Sequence, residues 1–280
     1  MHALIYYFCY AEVYIITRNC SHADGHHKLI RWRFVTHCGI DGYSRMIVYL
    51  KCSTDNRAST AYATFLEGVR QYGLPSRVRT DQGRENIRIA QHMLEHRGTN
   101  RQSITTGRSV HNQRIECLWR DLHRCVTVLF YRLFYYLEHI GLLDPVNEMH
   151  IYALHYVFLP RLRKAQEEFR EAWNSHLIRT AQNRSPEQLF TEGALMLQRS
   201  GLTALDFFSR VDENYGYEEE GIAVPEDTGV EVPIVQFQLL DEHYAELQEA
   251  VNPLQRSDNY GLDLYENTIS FITGLAAQHP

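Results

Sequence analysis

No two of the six cysteines (Cys9, Cys20, Cys38, Cys52, Cys117 and Cys125) stand in a C-x-x-C pair or form a compact framework. That argues against a disulfide-stapled secreted fold and leads us to expect reduced thiols in an intracellular protein, nuclear or cytoplasmic. Finger-like zinc spacing is missing too. The fifteen histidines include a cluster, His22, His26 and His27, but no His/Cys quartet stands at ligand spacing. Long apolar runs are few. The opening stretch MHALIYYFCYAEVYIITRNC has no basic n-region and contains Glu12, so it suits neither a signal peptide nor a membrane span. Residues 125–137 are apolar but contain Arg132, and so read as a buried helix. The expectation is no membrane association, and no internal repeat is present.

Lysine is nearly absent from the basic half of the chain. Residues 1–140 carry 19 Lys+Arg against 11 Asp+Glu, a charge of +8, and only Lys28 and Lys51 of the cations are lysines. Residues 141–280 carry 9 against 23, a charge of −14, which restores the net −6. Arginine offers a planar fork that grips phosphate with two bonds, so the first half suits a polyanion partner, or else presents a solvated basic surface. A length of 280 residues allows one sizeable α/β domain and a smaller appendage.

Along the chain, LIRWRFVTHCGI (29–40) and MIVYLKCS (46–53) are rich in β-branched and aromatic residues. They flank the turn signal DGYSR, which predicts a β-hairpin. Residues 57–73 have helical apolar spacing, stopped by Gly73 and Pro75. SRVRT is a short strand, followed by a turn at Asp81-Gln82-Gly83 and a helix to about Arg97. RQSIT is another short strand, and a long helix runs from about Val110 to Glu138. This order predicts a mixed sheet flanked by helices. The chain stays helical through 159–179, and an acidic, turn-rich stretch at 212–233 reads as a linker or tail. The last 40-odd residues contain no motif.

Asp81 closes a strand and opens a turn, which by itself suits a turn former or helix N-cap. Its company suggests more. Asn112, Glu116, Arg120 and His123 share one face of the long helix, either as a solvated stripe or as a site, while Ile115, Leu118, Trp119 and Leu122 supply packing. Asp24 lies just before or within an earlier strand, and Glu116 follows Asp81 by 35 residues. Acids at strand, strand-end and helix positions can converge at one edge of such a sheet. Converging carboxylates repel one another and call for a hard cation, Mg²⁺ or Mn²⁺.

These motifs in this order resemble the catalytic core of retroviral and transposon integrases. GIDGYSRMIVYL is similar to the family's Asp-x-x-Ser-Arg hairpin, and GLPSRVRTDQGREN to its Leu-Pro…Asp-x-Gly-x-Glu strand and turn. SVHNQRIECLWRDL is similar to its Asn/Gln-x-x-x-Glu helix, and AWNSHLIRTAQNRSPEQLF to the segment that closes many such cores. The resemblance implies an RNase H-like α/β fold, a mixed five-stranded sheet flanked by helices, with a helical extension and an acidic C-terminal tail. Its domains would be an N-terminal segment at 1–17, the core at 18–192 and an acidic region at 193–280.

The implied activity is that of a metal-dependent polynucleotidyl transferase that hydrolyses a DNA strand end and joins its 3′-hydroxyl to target DNA. Asp24, Asp81 and Glu116 would be the catalytic residues and hold a pair of Mg²⁺ or Mn²⁺ ions. Asn112, Arg114, Arg120 and His123 would contact DNA, and a homo-oligomer is compatible with the family. Asp41 is explained by its Asp-Gly turn and Glu85 by orienting the turn or capping the helix. Two departures keep an alternative open: no N-terminal His-His-Cys-Cys zinc module is present, and the acidic end lacks basic, barrel-like character. The alternative is a domesticated, catalytically silent nucleic-acid-binding or scaffold protein with the same fold. In either case DNA affinity is expected to reside in residues 1–192 and to survive removal of 210–280.

Overall fold

The computed structural model describes residues 21–81, 83–98, 103–106, 113–200 and 230–278. Strand β1 (Ser21–His26) lies at the centre of a five-stranded sheet with β2 (Val35–Asp41), β3 (Ile47–Ser53), β4 (Val78–Thr80) and β5 (Ile104–Thr106), in the order β3-β2-β1-β4-β5. β1 and β3 both run antiparallel to β2, whereas β4 is parallel to β1 and β5 to β4. All seven residues of β2 are buried, because helices cover both faces of the sheet.

Helices α1 (Ala58–Tyr72) and α2 (Ile87–Arg97) cover one face, where Ala23, Tyr49, Phe65, Val78, Ile89 and Met93 pack together. The other face carries α3 (Gln113–Leu122), α4 (Val128–His139) and the long α5 (Glu148–Ser175), followed in the chain by α6 (Pro186–Ser200). A π-helical turn at His123–Thr127 joins α3 to α4, so the single long helix of the sequence reading contains one widened turn. The predicted strand at residue 29 begins later. Ile30–Trp32 is a 3₁₀ turn closed by Arg33 in the left-handed region (φ 61°), which drives the Trp32 ring fully inside. Among the described residues no helix is long and apolar enough to cross a membrane, and Cys38, Cys52, Cys117 and Cys125 are free thiols.

Two sequence motifs prove to be architectural. Asp41 is buried and its Oδ2 accepts bonds from the Ser44 backbone N–H and hydroxyl, both at 2.7 Å, which fixes the β2–β3 loop. Arg45 takes the left-handed conformation there (φ 63°). In the closing segment, Asn174 on α5 accepts from the Ile47 N–H (2.8 Å) and donates to the Ile47 carbonyl (3.1 Å). One amide thus satisfies both backbone groups of an edge-strand residue, which would otherwise be a template for foreign pairing. Asn174→Ala leaves two buried backbone groups unpaired, so urea denaturation should show a loss of about 1–3 kcal/mol.

Composition sets 193–280 apart as an acidic region, yet from Val230 onward it contributes to the main core. Val235, Phe237 and Leu239 pack on the large cluster, and Leu247, Val251, Leu264, Tyr265 and Ile272 are buried in it. They come from the extended stretch 230–240 and from helices α7 (Asp241–Ala250) and α8 (Leu262–Gln278). Polar contacts reinforce the docking. The Tyr156 hydroxyl donates to the Val251 carbonyl (2.7 Å), and Arg33 pairs with Glu148 (2.7 Å), which also accepts from the Gln236 N–H. The acidic side chains face outward. Removal of 210–280 strips five buried side chains from the core, so the melting temperature of the truncated chain should fall well below that of the full chain, whatever its DNA affinity.

Candidate active site

The parallel register pairs Ser21 with Val78 and His22 with Arg79. Asp24 stands three residues past Ser21, and Asp81 three residues past Val78, just beyond the end of β4. Both acids therefore lie at the same level on adjacent strands. Side chains at equivalent parallel positions leave the same face of the sheet. For Asp24 that face is the one covered by α3.

Helix α3 docks through Ile115, Leu118 and Leu122, all fully buried, which leaves Glu116 and Arg120 exposed. Trp119 is only 6% exposed, and it does more than pack. Its indole Nε1–H donates to Asp24 Oδ2 at 2.9 Å, and its ring stacks on His26 with centroids 4.9 Å apart. The other oxygen, Asp24 Oδ1, accepts the Gly25 N–H at 2.8 Å. Burial pushes the Asp24 carboxyl up to about 7 against the opposing Trp119 bond, and repulsion from Asp81 and Glu116 adds to the rise. The three acids named from the sequence thus share one electrostatic environment.

Asp81 performs the local duty expected of it as well. Its Oδ1 accepts from the Gly83 N–H (3.2 Å) and from Asn86 Nδ2 (2.8 Å), which folds the turn before α2. Glu85 is buried under that turn, its carboxyl raised chiefly by burial and further by Asp81. Its carboxylate occupies the space where a Cβ at residue 83 would stand, so a side chain there would have to displace Glu85.

Three imidazoles border the acids. His26 is pushed down to about 4, mainly by burial and then by the neighbouring charges of His123, Lys28 and His27. His27 is lowered by burial, with Asp81 opposing the shift. His123 is half-buried at the start of the π turn, and its Nδ1 has no hydrogen-bond partner. π turns often mark sites where a helix has been re-aimed. Of the other DNA-contact candidates, Arg114 lies on α3 without a described side chain, and Asn112 lies outside the described residues.

Hard carboxylate oxygens on three elements fit Mg²⁺ or Mn²⁺ chemically. Among the described residues, however, no three His, Cys, Asp or Glu side chains close into a single coordination group. Hydrogen bonds from Trp119, Gly25, Gly83 and Asn86 already orient oxygens of Asp24 and Asp81. The sequence reading assigned Trp119 to packing and weighed His26 and His27 only for zinc. Trp119 lies one helical turn after Glu116, but its bond to Asp24 depends on a partner distant in the sequence.

In comparisons with known proteins, residues 13–204 match the family described as integrase core domain, which covers more than half of the chain. No curated protein and no solved structure matches.

Proposed function

The chain belongs to the integrase core domain family, and we propose that it cleaves and joins DNA strands by phosphodiester chemistry that depends on Mg²⁺ or Mn²⁺. The observation that carries this reading is that Asp24 on β1, bonded by Trp119 of α3, also meets the charges of Asp81 and Glu116. Groups held together against their own repulsion fit a cation-binding role better than a packing role. Asp24, Asp81 and Glu116 would hold the ions, which when bound supply charge stabilisation at the phosphoryl oxygens and a more nucleophilic water or 3′-hydroxyl. Arg120, exposed on the same helix as Glu116, would contact the DNA backbone, together with His123 just past the end of that helix. All three acids lie within the arginine-rich half of the chain, which suits a polyanionic substrate. We further propose a place inside the cell and DNA as partner, with a homo-oligomer compatible with the family.

A specific observation favours a second reading. With no trio of ligands closed among the described residues, the fold also suits a DNA-binding scaffold without turnover. Purified full-length chain incubated with supercoiled plasmid and Mn²⁺ separates the two. Nicking that EDTA abolishes and Glu116→Gln removes supports the enzyme, whereas binding without nicking supports the scaffold. Affinity in either case should fall steeply with salt, as phosphate contacts release counterions.

A further inference from the structure

We propose that Trp119 is a positioning residue of the cation site, fixing Asp24 relative to Glu116 across the contact between β1 and α3. The proposal rests on the reading of Asp24, Asp81 and Glu116 as ligands. Glu116 and Trp119 are three residues apart on one helix, so they move together. Trp119 holds β1 at two points, by the Nε1–H bond to Asp24 Oδ2 at 2.9 Å and by the stack on His26 at 4.9 Å. Contacts to two residues of the same strand resist both sliding and rolling of the helix. The Gly25 N–H fixes the second Asp24 oxygen at 2.8 Å, so the carboxylate plane is defined from both sides.

The π turn explains why α3 needs an anchor of its own. It inserts one extra residue between α3 and α4, and so breaks the angular relation between their faces. Phe130, Phe134 and Leu137 seat α4 in the core, while the face of α3 is offset from it and docks by contacts of its own. Ile115, Leu118 and Leu122 are apolar, and apolar packing tolerates small rotations. A buried indole N–H aimed at one carboxylate oxygen does not, because leaving it unpaired is costly. A ligating carboxylate held by an outer hydrogen-bond donor binds its ion more tightly, and loss of such a donor commonly costs 10- to 100-fold in affinity.

The test measures binding, independently of turnover. Mn²⁺ alone is titrated calorimetrically into full-length protein, wild type and Trp119→Phe, which keeps an aromatic ring but removes the donor. Affinity should fall about 10- to 100-fold in Trp119→Phe. Leu118→Ala weakens the same helix through the core without touching the indole bond, and should bind Mn²⁺ nearly as wild type does. Unchanged affinity in Trp119→Phe, or an equal fall in Leu118→Ala, overturns the proposal while leaving the ligand assignment standing. Asp24→Asn and Glu116→Gln test that assignment separately: if either binds Mn²⁺ like wild type, the underlying reading fails. Should Trp119→Phe not fold, the wild type decides. Of the three tryptophan indole N–H resonances, one should shift on addition of Mg²⁺ and fail to do so in Asp24→Asn. If no indole resonance responds while Mg²⁺ binds, Trp119 does not position the site.

Discussion

Glu116→Gln is expected to lower Mn²⁺-dependent strand cleavage by about 10²- to 10⁴-fold, the rate equivalent of several kcal/mol of lost charge stabilisation. The substitution keeps side-chain length and helix propensity nearly unchanged. Glu116 is exposed on the first turn of α3 and does not contribute to the core, so folding should be preserved. What disappears is a negative charge that repels Asp24 and that a divalent ion would neutralise. DNA binding should persist or improve slightly, since an anion leaves a face that meets phosphate.

Arg120→Ala should do the reverse. It weakens binding across all sequences and lowers the salt slope by about one unit, while Mn²⁺ affinity stays as in the wild type. Filter binding at several salt concentrations and a plasmid nicking assay read the two effects apart. Equal loss of DNA binding in both variants, or metal-independent nicking that survives in Glu116→Gln, would contradict the assignment.

Much of the site was legible because its parts are local. Asp81 at a strand end before Gly83 is a turn in any fold, and the face shared by Glu116, Arg120 and His123 follows from helical spacing up to the π turn. Asp41 was legible as a structural aspartate for the same reason, since its partner Ser44 is three residues away. The unread features depend on distant partners. Trp119 bonds a carboxylate 95 positions earlier, and nothing in its own neighbourhood distinguishes it from a packing tryptophan. The docking of α7 and α8 was hidden by composition, because a few buried apolar residues stand among many exposed acids. The 3₁₀ turn at Ile30–Trp32 sits in a run with strand-like composition, and the long-range bond from Trp32 Nε1 to Glu138 (2.7 Å) favours it over an extended strand.

Without divalent ions, Asp24→Asn is expected to stabilise the protein at pH 8 and to lose that advantage near pH 4. The Asp24 carboxyl is raised from an ordinary 3.8 to about 7 in the folded chain. Between those values the folded state holds a proton that the unfolded state has released, so stability falls as pH rises through this window. Each pH unit carries about 1.4 kcal/mol, which bounds the full penalty at about 4 kcal/mol and makes about 2–4 kcal/mol a reasonable gain for the asparagine. Asparagine can still accept the Trp119 N–H through its carbonyl, so the helix contact survives, although its NH2 cannot accept the Gly25 N–H. The wild-type pH curve alone cannot isolate this effect. His26, held near 4, opposes it, because a histidine kept neutral in the fold costs stability as pH drops below its ordinary 6.5. The shift of His26 arises from burial and from His123, Lys28 and His27, all of which Asp24→Asn retains. The difference between variant and wild type therefore reports Asp24, and urea denaturation at several pH values should show it growing from pH 4 to 8. Added Mn²⁺ should close the gap by stabilising the wild type alone. An asparagine variant less stable than wild type at pH 8 would mean that hydrogen bonds from Trp119 and Gly25 outweigh the repulsion, and that Asp24 is comfortable as an anion without a metal.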